Sequence, residues 1–162
     1  MLKESVPSVV VANDVLAKAR ITIVRALFHD DLTGNMERHC IQTLKAAGLP
    51  ESNIKKYTTP GSLEIPVTAK LVAQQGETDL MIVFGIVRKG DTYHFETVVG
   101  EAARGCMDVG LQFGIPIIFE VIGVYDMKQA EDRAGDHDQN KGIYAAYAAL
   151  TMLNTLHALG KL

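Results

Sequence analysis

The chain has 162 residues, a net charge of −3, 48% apolar residues and 22% charged ones, which is one domain's length and ordinary globular composition. The charge gives no reason to expect nucleic acid or an anionic membrane surface as a partner. No stretch approaches the roughly 18 apolar residues that a membrane helix needs.

Met1 to Val11 mixes Lys3 and Glu4 with a short apolar run at Val9–Val11. It has no basic start with a long apolar core, so it does not read as a signal peptide, and a cytoplasmic protein is expected. Ser8–Ala12 stands outside the pattern that follows. Residues 1–18 are therefore expected as an arm, either fraying or adding an edge strand to this or a neighbouring sheet, which is a modest pointer to assembly. Ile21–Val24 is a strand candidate, and Leu32 to Ala47 reads as a helix closed by Gly48. Lys55–Thr58 is a weak second strand, followed by a helix from about Glu64 to Gln75. Leu80–Val87 is nearly continuous apolar sequence, as in a strand buried on both faces. In the next segment Phe95, Val99, Ala102, Cys106, Val109 and Phe113 recur at steps of three and four, the period of one helix face. Gly114 ends that helix, and Pro116–Val124 is a further strand with Glu120 as its polar exception. The last helix starts near Asn140 and carries Ile143, Tyr147, Leu150 and Leu153 on one side. Strands and helices in alternation predict one α/β domain over 1–162: four parallel strands with helices on both faces, joined by right-handed crossovers. Cys40 and Cys106 have neither CxxC spacing nor a histidine pattern, so two buried, reduced thiols are expected rather than a disulfide or zinc site.

In open parallel sheets ligands collect beyond the carboxyl ends of the strands. After the first strand, Phe28 could stack on a planar ring or pack beneath the helix, with His29 in solvent. After the second, Pro60-Gly61 makes a turn; Ser62 and Glu64 are either helix caps or polar anchors for a ligand rich in hydroxyls. The third loop, Arg88 to Glu96, combines the Gly90 turn, Thr92 and helix-start amides, a set that suits an oxyanion. His94 lies beside it, a surface cap or a proton-transfer group of the residue type best suited to neutral pH. Further on, Arg133 could clamp a phosphate and Lys141 would stand at the mouth of the last helix, although either could be plain surface charge. His137 between Asp136 and Asp138 lacks a companion at ligand spacing, so no metal is expected.

These pieces, in order across nearly the whole chain, resemble the 6,7-dimethyl-8-ribityllumazine synthases of riboflavin biosynthesis. The resemblance rests on Phe28-His29 with Thr33, on Pro60-Gly61-Ser62-Leu63-Glu64-Ile65-Pro66, on Gly85 to Gly90 with Thr92 and His94-Phe95-Glu96, on Pro116 to Phe119, and on Glu131 through Arg133-Ala134-Gly135 to Asn140-Lys141-Gly142. It implies a flavodoxin-like, three-layer αβα sandwich. It implies condensation of 5-amino-6-(D-ribitylamino)uracil with 3,4-dihydroxy-2-butanone 4-phosphate, without metal or organic cofactor. Carried over by position, Phe28 stacks on the pyrimidine, Ser62, Leu63 and Glu64 hold the ribityl chain, and Val87 and Arg88 line the same pocket. Gly90, Asp91, Thr92 and Arg133 cradle the phosphate and His94 transfers protons. Lys141 lies near the pyrimidine, and Phe119 comes from an adjacent subunit of a homopentamer or a multiple of one. The chain differs from the usual pattern at Leu27, at the adjacent cations Arg88 and Lys89, at Glu120 and along Val121–Asp126. A non-catalytic, shell-forming or flavin-binding relative would be expected to lose His94 or Arg133, and both are present. A flavodoxin-like phosphate binder would need a Ser/Thr/Gly-rich first loop, where Ala26 to His29 is bulky.

Overall fold

The computed structural model describes residues 8–162; Met1–Pro7, with Lys3 and Glu4, lie outside the described residues. Its elements are α1 (Asn13–Lys18), β1 (Ile21–Ala26), α2 (Asp30–Ala46), β2 (Ile54–Thr59), α3 (Ile65–Gln75), β3 (Leu80–Arg88), α4 (His94–Phe113), β4 (Ile117–Val124), α5 (Met127–Ala134) and α6 (Lys141–Ala158). The four strands form one parallel sheet in the order β2-β1-β3-β4. Helices cover both faces, which gives the three-layer flavodoxin-like α/β sandwich.

The apolar pattern explains the layering. β1 and β3 are central, and Ile21, Ile23, Val24 and Leu80 to Phe84 are buried to within about one per cent of completely. On one face Ile21, Ile23, Ile82 and Phe84 pack against Leu16 of α1, Met36, Cys40 and Leu44 of α2, Ala130 of α5, and Ala145, Ala149 and Leu153 of α6. On the other face Val24 and Val83 meet Ile65 of α3 and Cys106 of α4, and Met81 meets Ala69, Val72 and Val109. β2 is an edge, with Lys55 and Lys56 exposed on it; charged side chains of this kind discourage further pairing. Gly114 closes α4 at φ 64°, a left-handed conformation that side chains disfavour. Both cysteines are free and buried, and burial pushes the Cys106 thiol up to about 12. No helix of the described residues is long and apolar enough to cross a membrane.

Two segments take a form that the sequence left open. Residues 8–12 join no strand of this sheet; Val11 is buried and the Val10 carbonyl accepts from Asn154 Nδ2 at 3.0 Å, so the segment lies along α6. Residues 13–18 are helical, so the expected arm ends early. The stretch around Arg133 is helical too. It is the last turn of α5, whose start Asp126 caps by accepting from the Gln129 N–H at 2.9 Å.

Candidate active site

The sheet order reverses direction between β1 and β3, and a cleft of about 300 Å³ opens at the carboxyl ends of β1, β2 and β3. Its walls are Phe28 and His29 after β1, Gly61, Ser62, Leu63 and Glu64 after β2, Ile86, Val87 and Arg88 at the end of β3, and His94 and Val98 of α4. Seven residues expected at a binding site thus meet in one place: Phe28, Ser62, Leu63, Glu64, Val87, Arg88 and His94.

Each wall has a local cause. Phe28 N–H donates to the Pro60 carbonyl at 3.2 Å and Leu27 N–H to Thr59 at 2.8 Å, so the first two loops leave the sheet still paired. Phe28 stays 67% exposed, its ring edge-on to His29 at 5.0 Å, available to a flat ligand rather than packed under α2. His29 has φ 59°, a conformation that costs a non-glycine residue about 1–2 kcal/mol. Gly61 N–H donates to Glu64 Oε2 at 2.9 Å, and Thr59 Oγ1 donates to the Gly61 carbonyl at 2.9 Å, which fixes the second turn. Ser62 is buried against β3, where a Cβ on Gly85 would stand 2.4 Å from its Oγ. The glycine is therefore what lets Ser62 reach the cleft floor. Arg25, by contrast, is spent beneath the site, paired with Glu37 at 3.3 Å and with Asp30.

The third loop is bare. Gly90, Asp91 and Thr92 are exposed, and α4 begins at His94 without a side-chain cap, whereas Asp126 and Asn140 cap α5 and α6. Uncapped helix-start N–H groups beside a glycine turn are disposed to bind an oxyanion. The side chains of Arg88 and His94 make no hydrogen bond or ion pair among the described residues, so both can face a ligand.

Six expected site residues do not line this cleft within one chain: Gly90, Asp91 and Thr92 form the bare turn between Arg88 and His94, and Phe119, Arg133 and Lys141 lie elsewhere. Arg133 donates through Nη1 to the Gln129 carbonyl at 3.0 Å, on a helix packed against α2 and β4 on the sheet face opposite α4. Lys141 starts α6, its ammonium 4.4 Å from the Tyr144 ring centroid. Phe119 lies on β4 and lines a separate apolar groove of about 500 Å³ with Met107, Leu111 and Leu159. Among the described residues Arg133 makes no hydrogen bond or ion pair with Gly90, Asp91 or Thr92, since α5 packs on the sheet face opposite the helix that this turn opens. His137 is occupied structurally: Nε2 donates to the Glu131 carbonyl at 3.0 Å and Nδ1 accepts from Gln139 N–H at 3.2 Å. Among the described residues no group of three metal-binding side chains comes together. Ile86 and Val98 are cleft residues for which no role was expected from the sequence, while His29, expected in solvent, lines the cleft beside Phe28, and Gly61 of the expected turn lines it with Ser62.

Glu120 follows Phe119 on β4 and faces the other way, into the α2 and α6 layer. Burial pushes its carboxyl up to about 7, partly offset by the Lys141 charge. Folding then retains a proton that the unfolded chain releases, so stability falls as pH rises from about 4.5 to about 7 and is level above that. Glu120→Gln is expected to stabilise the chain by about 1–3 kcal/mol at pH 8 and by almost nothing at pH 4. Urea unfolding of both proteins at the two pH values measures this, and equal midpoints at pH 8 would contradict it.

Residues 18–157 match the sequence model of one protein family, described as 6,7-dimethyl-8-ribityllumazine synthase.

Proposed function

Because the chain belongs to the 6,7-dimethyl-8-ribityllumazine synthase family, we propose that it condenses 5-amino-6-(D-ribitylamino)uracil with 3,4-dihydroxy-2-butanone 4-phosphate to form the lumazine, water and phosphate. The observation that carries this reading is the single cleft that unites Phe28, Ser62, Glu64, Val87 and His94 beside a bare glycine turn. Phe28 offers a face for the pyrimidine. Ser62 Oγ and the free oxygen of Glu64 suit the ribityl hydroxyls, and the Gly90–Thr92 turn suits the phosphate.

The reaction joins two substrates more than it needs covalent help. The 5-amino group attacks the ketone and loses water to give an imine, phosphate leaves, and the ribityl-bearing nitrogen closes the ring with loss of a second water. Holding both molecules in register can supply on the order of 7–11 kcal/mol of such a barrier. His94 moves protons between the nitrogen and the departing oxygens. N–H groups at the start of α4 stabilise the leaving phosphate where its charge develops.

Arg133, Lys141 and Phe119 enter this scheme from a neighbouring copy. A head-to-tail ring would bring one chain's β4 and α5 to the next chain's cleft, and a pentamer or a multiple of it is the assembly proposed. The two buried thiols suit a reducing compartment, the cytoplasm.

The test is mixing the two substrates with assembled protein and following lumazine absorbance. No product at high protein concentration, with sedimentation showing the ring, would leave a non-catalytic relative of the same fold. Arg133→Ala is expected to raise the KM for the phosphate-bearing substrate about ten-fold or more, the worth of a charged hydrogen bond, while the KM for the uracil stays level. An unchanged phosphate-substrate KM would remove Arg133 from the site.

A further inference from the structure

Two adjacent cations stand where β3 finishes, Arg88 as its last residue and Lys89 just past it, and they turn to opposite sides. Arg88 lines the cleft, while Lys89 turns towards β4 and the first turn of α4. Lys89 N–H donates to the Val124 carbonyl at 2.8 Å, and its ammonium pairs with Glu96. That ammonium also lies 5.5 Å from the Phe95 ring centroid and 5.9 Å from that of Tyr125, two rings that themselves stand 6.1 Å apart. The second carboxylate oxygen of Glu96 is buried with no hydrogen-bond partner among the described residues, and Lys89 is the cation paired with this carboxylate. The hydrogen bond from Lys89 holds the Glu96 carboxyl below the usual carboxylate range.

Between these anchors runs Gly90–Tyr93. Gly90, Asp91 and Thr92 make no hydrogen bond to the rest of the chain among the described residues, and only the Tyr93 carbonyl is engaged, by Thr97. The turn therefore has no internal ties, and its shape is set from its ends. One end is the start of α4. The other is Lys89, whose main chain is fixed to β4 and whose side chain pairs with Glu96, two residues past His94.

We propose that Lys89 is a positioning residue: through Glu96, Phe95 and Tyr125 it fixes the Gly90–Thr92 turn so that its N–H groups converge on the substrate's phosphate. This rests on the reading of that turn as the phosphate site. A backbone oxyanion site works only when its donors are held before the anion arrives. A turn lacking ties of its own must otherwise be ordered by the ligand, at a cost in affinity. Cation–aromatic contact and ion pairing together make Lys89 a stiff strut rather than a loose surface charge.

The experiment measures binding of inorganic phosphate to the assembled protein by calorimetry, alongside steady-state kinetics. Lys89→Met, which keeps the aliphatic packing, is expected to weaken phosphate binding about ten-fold and raise the KM for the phosphate-bearing substrate equally. The KM for the uracil should stay within two-fold, and Lys89→Arg should restore most of the binding. Glu96→Leu separates positioning from charge. It adds a net positive charge near the turn, so a purely electrostatic role predicts tighter phosphate binding, whereas a broken strut predicts weaker binding. Wild-type affinity in Lys89→Met, or tighter binding in Glu96→Leu, would overturn the strut and leave the phosphate site standing. Failure of the wild type itself to bind phosphate would overturn both.

Discussion

His94→Ala is expected to lower the turnover number of the proposed lumazine formation by about 10²-fold and to leave both KM values within about three-fold. The magnitude follows from what the residue can do. It is the first residue of α4, it lines the cleft with Phe28 and Glu64, and no group among the described residues occupies its ring nitrogens. It can therefore address a proton on the substrate but is not built into a triad that would multiply its effect. General acid–base assistance from one side chain is worth about 10²–10⁴-fold. The lower end is expected because the amine substrate carries protons of its own and the remaining acceleration comes from positioning. His94→Gln, which keeps a hydrogen-bonding side chain without a titrating ring, should resemble the alanine variant. Single-turnover absorbance with saturating substrates separates chemistry from product release. A loss of less than about three-fold in both variants would remove His94 from the proton-transfer role and leave positioning as the whole mechanism.

The sheet was legible because its strands are punctuated. Leu80–Val87 can hardly be anything but a strand buried on both faces, and its observed span extends it by the single residue Arg88. The α4 stripe was equally plain, although Val98 is buried more fully than Val99. α5 escaped because only Ala130 and Ala134 of its eight residues are buried, and two small side chains one turn apart make a faint stripe. The Asp126-x-x-Gln129 start was its available sign. α1, six residues with Val15 and Leu16 as its anchors, is too short for a period to show.

The cleft was legible by another route, since motifs fix residue types at strand ends and the sheet order then brings the ends together. That logic fails for Arg133, Lys141 and Phe119. They sit in the same kind of motif, but β4 is the far edge of the sheet and α5 and α6 pack on the opposite face, so adjacency in sequence order does not become adjacency in space. Lys89 failed for the opposite reason. Beside Arg88 it reads as one basic patch, and only the pleat, which turns successive side chains to opposite faces, separates a cation facing the ligand from one inside the frame.

The Asn140-Lys141-Gly142 motif shows how a run that looks chemical can be mostly architectural, and it carries the larger expected loss of stability. A Cβ placed on Gly142 would stand 2.0 Å from the Met36 carbonyl oxygen, 2.7 Å from its carbon and 2.9 Å from its Cα. The obstacle is backbone in the middle of α2, so no rotamer change relieves it, and the helices must separate by more than an ångström. α2 and α6 cover most of one sheet face, with Met36, Cys40, Leu44, Ala145, Ala149 and Leu153 buried between them and the strands. Separation would open that whole seam. It would also disturb Asn140, fully buried, whose Oδ1 accepts from Gly142 N–H and whose Nδ2 donates to the Gly135 carbonyl, both at 2.7 Å. Gly142→Ala is therefore expected to cost about 3 kcal/mol or more, the upper end for an overpacked core, and to leave little folded protein at 37 °C. The control is the same substitution at Gly34 of α2, where the new Cβ would meet only Arg25 Nη1 at 3.7 Å, an ordinary contact. There alanine should stabilise by about 0.5–1 kcal/mol through its better helix propensity. Urea unfolding of the two variants beside the parent reads the contrast directly. If Gly142→Ala unfolds within 1 kcal/mol of the parent, then α2 and α6 can slide apart cheaply, and the close approach of their backbones is not what the glycine serves.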